Sequence, residues 1–284
     1  MLENLGQYKI LDRIGSGGLG EEYRARDTRL GRTVAIKVLR DDIAATPERR
    51  DRFLRDARIA ATLSHPNIAT LYEIGEDDGW LYLVCEFVQG QTLKTIIGGR
   101  PLNPRRAIDL ASQIADALAE AHAAEIVHRN IRVDGIVVTP KGNAKILDFG
   151  LAAWMTGAEG AAERMSGQPA DPQGDIFSLG LILFEMLTGG APAPGAGVPS
   201  AVNRSLPREI DPIVAKALGK SGGYETAVTL AAELRAIGAM LDVRAEASDA
   251  LVIDPRPKRS YVPWIVLALA LGAAVAVAWY LRLV

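Results

Sequence analysis

The chain has 284 residues, 49% of them hydrophobic and 23% charged, enough for one two-lobed domain with a sizeable core. A formal net charge of −2 excludes the global electrostatic footprint of a nucleic-acid-binding protein. The single cysteine, Cys85, excludes an internal disulfide framework, and three histidines (His65, His122, His128) without metal-ligand spacing argue against a structural metal.

No basic region followed by an apolar run occurs in Met1 to Gln7, so no cleaved signal peptide is expected. Residues 8–40 read as strands around a glycine cluster, with Thr33 to Leu39 a compact apolar strand. Pro47 to Leu63 carries apolar residues at helical spacing, with Thr46 placed as N-cap ahead of Pro47. Leu71 to Val88 is again strand-like. Ala107–Ala124, Ile176–Leu187, Ile213–Leu218 and Ala227–Met240 read as helices, and 189–201 as a Gly/Pro-rich loop. A strand-rich first third followed by a helical remainder predicts an α+β, two-lobed arrangement.

The C-terminal end differs. Residues 243–260 are polar and proline-containing and read as a linker. Tyr261 to Leu281 then runs about 21 residues without a charge, spanning roughly 30 Å as a helix. Tyr261 and Trp264 at one end, and Trp279 and Tyr280 at the other, sit where interfacial aromatic belts belong. Arg256, Lys258 and Arg259 precede this segment and only Arg282 follows it, which predicts a single pass through the inner membrane with the larger part in the cytoplasm.

The chemistry-bearing motifs form an ordered series. Gly15-Ser16-Gly17-Gly18-Leu19-Gly20 would let backbone N–H groups approach phosphate oxygens. Lys37 ends the strand Val34-Ala35-Ile36-Lys37, and His128-Arg129-Asn130, Asp148-Phe149-Gly150 and Asp175 to Gly180 follow. In this order and spacing the chain resembles the eukaryotic-like Ser/Thr protein kinases of bacteria over residues 8–241. Arg26 to Lys37 and Leu63-Ser64-His65-Pro66-Asn67-Ile68 carry the resemblance almost word for word. It implies a bilobal protein-kinase-like fold, with a strand-rich N-lobe at about 8–88, a helical C-lobe at about 89–241, a linker at 242–260 and a C-terminal transmembrane helix at 261–281. It also implies ATP and Mg²⁺ as ligands. Gly15, Gly17, Gly20, Ala35, Lys37, Glu86 and Val88 would hold the nucleotide, Asp148 would bind Mg²⁺, and Lys37 would pair with Asp56 of the first helix. His128 and Arg129 would brace the catalytic loop, with Asp175 anchoring its backbone.

Several positions depart from the family pattern. Asn130 stands where the motif H-R-D-L-x-x-x-N places a catalytic Asp, and carries no charge to accept a substrate proton. Gly135 stands where an Asn would meet a second Mg²⁺. Glu22 replaces the Val over the nucleotide base, where a carboxylate either swings out to solvent or occludes the site. No Ala-Pro-Glu motif lies between Asp148 and Asp175, and Ala217 to Tyr224 lacks the Arg that would pair with its Glu. These departures predict a pseudokinase that acts on other proteins, either an active kinase or cell-envelope machinery, with no nucleic-acid partner. Two alternatives stay open: an unusual active Ser/Thr kinase with Asp134 as substitute base, and a non-catalytic ATP sensor.

Overall fold

The computed structural model describes residues 2–155, 171–193, 195, 197–220, 222–251, 262–280 and 282–283. The chain divides into two compact units, Met1–Leu241 and Asp242–Val284. In the first unit, β1 (Asn4–Leu5), β2 (Tyr8–Ser16), β3 (Gly20–Asp27), β4 (Thr33–Leu39), β5 (Leu71–Asp77) and β6 (Trp80–Glu86) form one antiparallel sheet in the order β1-β2-β3-β4-β6-β5. The period-2 alternation of β4 separates its two faces. Ile36 and Val38 pack with Tyr8 and Tyr82 on one side, while Ala35 and Leu39 pack with Phe53 and Leu83 on the other. Lys37 shares that second face, so the strand that fills the core also aims an ammonium inward.

Helix α1 (Pro47–Ala60) covers this face through Phe53, Ala57 and Ala60, spaced as one helical stripe. Thr46 caps it as the sequence predicts, its side chain accepting from the Arg49 N–H at 3.3 Å, and Pro47 occupies the first turn where no donor is needed. Full burial of a side chain such as Phe53 contributes roughly 1.5–3 kcal/mol.

A three-stranded sheet, β7 (Gln91–Thr92), β8 (Ile136–Val138) and β9 (Ala144–Ile146), leads into the helical part. There α2 (Leu93–Ile97) precedes α3 (Pro104–Ala123), whose first turn is capped by Asn103, and α3 packs on α5 (Pro172–Thr188). A short helix, α4 (Ala152–Met155), lies between them in sequence. The small residues Ala107, Ala111, Ala115 and Ala121, all fully buried, let one face of α3 pack closely into the core. Helices α6 (Pro199–Val202) and α7 (Asp211–Ala217) complete the lobe. At Gly180 of α5 an added Cβ would lie 2.9 Å from Ala217 Cβ, so glycine is what permits this close approach.

Helix α8 runs from Ala227 to Leu251, so the first part of the expected 242–260 linker, up to Leu251, is helical. The cause is local, because Ala-rich 241–251 contains no Gly or Pro to stop it, and Pro255 comes only later. In the place of the expected 261–281 span stands an uncharged helix, α9 (Val262–Tyr280, 19 residues). Among the described residues no helix is long and apolar enough to cross a membrane, so the transmembrane part of the expected architecture is not established.

Candidate functional site

The cleft lies beneath the first sheet, bordered by β4, the segment after β6 and the loops around β8 and β9. Ile14, Ala35, Cys85, Phe87, Val88, Val137 and Leu147 give it apolar walls, and it holds about 760 Å³ including its open mouth. That size suits a small-molecule ligand. Cys85 is buried in this wall, and burial pushes its thiol up to about 12, so it serves as an apolar lining group. Glu86 borders the cleft, but its carboxylate is engaged elsewhere, accepting from Lys145 Nζ at 2.8 Å and from the Thr70 N–H at 3.3 Å.

Lys37 is 5% exposed. Its ammonium lies 2.8 Å from Glu22 Oε1 and 2.7 Å from Asp148 Oδ2. Burial works against the charge, but the Asp148 and Glu22 carboxylates outweigh it and hold the lysine above its ordinary value. Glu22 therefore neither swings out to solvent nor merely blocks the pocket; it turns onto the lysine that faces it across the β3–β4 ladder.

The expected ion pair between Lys37 and Asp56 is not formed. Asp56 Oδ2 instead accepts from the indole Nε1 of Trp154 at 2.9 Å. Trp154 is buried, edge-on to Phe53 with ring centroids 5.3 Å apart, and the Arg49 guanidinium sits 5.8 Å from its ring. The reason is geometric. An aspartate arm is one methylene shorter than a glutamate arm, the indole is nearer, and Glu22 already supplies a cross-strand counter-charge.

Around the glycine cluster, Gly17 N–H donates to Gly20 O at 2.8 Å and Gly20 N–H returns to Gly17 O at 3.3 Å. Gly20 needs its missing side chain, since φ is +150° and an added Cβ would come within 1.9 Å of Val38 O. Gly15 has open space around it, whereas a Cβ on Gly18 would meet Met155 Cβ at 2.6 Å. The loop thus rests directly on α4.

The loop bearing Asn130 is braced from below as expected. Asp175, fully buried, accepts from the backbone N–H of His128 at 2.8 Å and of Arg129 at 2.7 Å, and binds His122 Nε2 at 2.9 Å. These bonds hold Arg129 at φ +68°, a left-handed conformation costly for a non-glycine residue. His128 is buried against Phe149, with ring centroids 4.9 Å apart, and its Nε2 lies 3.1 Å from Leu147 O. Desolvation pushes its pKa down, so it is neutral. Asn130 itself faces the cleft, with Nδ2 3.9 Å from Met155 Sδ. Asp134 lines the same cleft, but Arg132 holds its carboxylate through two bonds of 2.9 and 3.2 Å.

These residues supply only part of the Mg²⁺ site that the family pattern implies. One oxygen of Asp148 is bonded to Lys37, and Gly135 brings no side chain to the cleft. Among the described residues no group of three or more His, Cys, Asp or Glu converges as a metal site. The stretch that lacks the Ala-Pro-Glu motif falls largely on 156–170, outside the described residues. In the late helical region, Lys216 pairs with Glu233 at 2.8 Å, and Tyr224 donates to the same carboxylate.

Sequence reasoning missed Trp154 and Met155, which reach Asp56, Gly18 and Asn130. A lone Trp five residues after Phe149 was the available signal. It also gave Asn67 no role, yet its Nδ2 donates to Ala144 O at 2.7 Å, and its carbonyl accepts from the Ile146 N–H, fixing the strand that delivers Asp148.

Comparison with known proteins agrees with this geometry. A family profile described as the protein kinase domain matches residues 8–215. The serine/threonine-protein kinase PrkC of Bacillus subtilis is 38% identical over 260 residues, covering 81% of this chain and 40% of the relative. The serine/threonine-protein kinase PknB of Mycobacterium tuberculosis is 34% identical over 264 residues, covering 80% of this chain and 42% of that one. The chain therefore spans less than half the length of these curated relatives. The crystal structure of the Mycobacterium tuberculosis PknI kinase domain superposes with a TM-score of 0.68 at 24% identity, covering 83% of this chain and 98% of that one, which speaks to the fold alone. With the bilobal fold, the buried lysine and the Asp175-braced loop in place, the chain belongs to the protein kinase domain family.

Proposed function

We propose that this protein is a pseudokinase: a kinase-fold module that signals through protein contacts and does not transfer phosphate. The observation that carries this reading is the pairing at the centre of the cleft. Lys37 is clamped between Glu22 and Asp148, and Asn130 stands where a proton acceptor is needed. Loss of a general base by itself costs roughly 10²–10⁴ in rate. The held lysine and the absent carboxamide at Gly135 reduce electrostatic stabilisation of a transferring phosphoryl group further.

The relatives are named serine/threonine-protein kinases, so the activity to test is transfer of the ATP γ-phosphate to protein hydroxyls. Labelled ATP, the full chain and a generic basic protein substrate make the assay. No transfer above a Lys37→Ala control supports the reading. Robust transfer that Lys37→Ala abolishes overturns it, and Asp134→Asn then asks whether Asp134 is the substitute base.

Membrane attachment is part of the same proposal. Its support is the uncharged run of 262–280, the exposed apolar side chains Val266, Leu269 and Val275, and the basic residues Arg256, Lys258 and Arg259 before it. The kinase-like unit would then sit at the cytoplasmic face, beside a kinase or cell-envelope partner. Cell fractionation decides this: the full chain should pellet with membranes and a chain ending at residue 241 should not.

A further inference from the structure

The cleft combines two halves that ask for different ligands. Its outer half is apolar, lined by Ile14, Ala35, Cys85, Phe87, Val137 and Leu147. Apolar walls beside a chain segment rich in peptide donors and acceptors suit a planar heteroaromatic ring. Its inner half is where the phosphates of a nucleotide would go, and here the recognition groups are already engaged.

The first such group is the ammonium of Lys37, which has Glu22 Oε1 at 2.8 Å and Asp148 Oδ2 at 2.7 Å. Two carboxylates around one buried ammonium leave a local charge of −1, and a polyphosphate brought there meets repulsion. The second is the glycine cluster, where the N–H groups of Gly17 and Gly20 bond within the turn. Glu22 Oε1 also lies where a Cβ on Gly17 would be only 2.5 Å away, so the carboxylate sits against the loop itself. The third is the space beneath the loop, where Met155 packs on Gly18. A second metal that would shield the charge lacks its ligand at Gly135.

We propose that the cleft binds an uncharged purine-type base or nucleoside and discriminates against the nucleoside triphosphate, with Glu22 as the specificity-determining residue. This rests on the reading that the cleft does not carry out phosphate transfer. Glu22 acts by position: it faces Lys37 across the β3–β4 ladder and supplies intramolecularly the anion that a phosphate would otherwise supply. Glu22 also lines the apolar half of the cleft, so the ratio of the ATP and adenosine affinities, and not either affinity alone, reports phosphate rejection.

Isothermal titration calorimetry on the detergent-solubilised full chain tests this with adenosine, ATP, and ATP plus Mg²⁺ as probes. Adenosine is expected to bind more tightly than ATP by roughly fivefold, with Mg²⁺ changing the ATP affinity less than about twofold. In Glu22→Gln, which keeps the shape and removes the charge, the affinity ratio of ATP to adenosine should rise roughly tenfold. Glu22→Val should move the ratio the same way, which guards against a fault particular to one variant, and cooperative thermal unfolding confirms that each is folded. The proposal is overturned if ATP binds the unaltered chain as tightly as adenosine or more so, if neither binds, or if the ratio stays fixed in folded variants. Phosphate transfer measured on the same preparation reports separately on the pseudokinase reading, so the two can fail independently.

Discussion

Lys37 and Glu22 are direct cross-strand partners in the β3–β4 ladder, and their side chains close a 2.8 Å ion pair inside the cleft. Asp148 completes a three-member cluster from the far side, across 111 residues of sequence. Since Lys37 is held above its ordinary value of 10.5, its contribution to stability is fully present below that pH and is lost as pH rises through the native value. Replacing Lys37 by Met leaves two inward-facing carboxylates without a cation. The expected loss is about 2–4 kcal/mol at neutral pH. Urea unfolding of both proteins at neutral pH checks it, and equal stability of the two would contradict the cluster.

Trp154 takes Asp56 away from Lys37 and fastens α4 to α1. Trp154→Phe keeps an aromatic ring against Phe53 but removes the indole donor, for an expected loss of about 1–2 kcal/mol. Trp154→Ala also opens a cavity and should cost about 3–5 kcal/mol. In both variants, amide hydrogen exchange in α1 should accelerate relative to α3. Equal protection of α1 in the native chain and in Trp154→Ala would show that the indole does not hold the helix.

Restoring the family residues should reveal which obstacle dominates. Asn130→Asp alone is expected to raise phosphate transfer by less than about tenfold, because Lys37 remains clamped by Glu22. Gly135→Asn has room, since a Cβ there meets nothing closer than Arg132 O at 3.6 Å. The combination Glu22→Val, Asn130→Asp, Gly135→Asn should exceed the single variant by about 10²-fold or more. Transfer from labelled ATP measures this. Full activity in Asn130→Asp alone would show that the Glu22 clamp is no barrier.

His128 is buried neutral against Phe149, its pKa lowered by desolvation, while the unfolded chain protonates it near 6.5. Below that value the unfolded state binds more protons than the folded one, so stability falls with falling pH. His65 is lowered for the same first cause and adds to the slope. Thermal unfolding between about pH 7.5 and 5.5 should therefore show a falling midpoint. His128→Phe, less stable overall, should show a shallower fall over that window; an identical slope would remove His128 as a source.

The first sheet, the longer helices and the lysine, aspartate and asparagine of the cleft were legible from the chain, because each depends on local pattern, whereas the short helices α2, α4 and α6 were not. Alternation made β4 a strand, the Thr46–Pro47 pair started α1, and residue order carried His128, Asp148 and Asp175 into their roles. The sequence also determined, unaided, that Asn130 cannot act as a proton acceptor and that Gly135 offers no metal ligand, since those follow from residue chemistry alone. The partner of Lys37 was a different kind of question. Asp56 and Glu22 are both acids near it in the fold, and no periodicity ranks them. Only the tertiary structure decided, through the register that sets Glu22 opposite Lys37 and the packing of Trp154 that claims Asp56. Side-chain pairing within a buried cluster depends on distances of a few ångströms between segments far apart in sequence, and such distances exist only once the chain has folded.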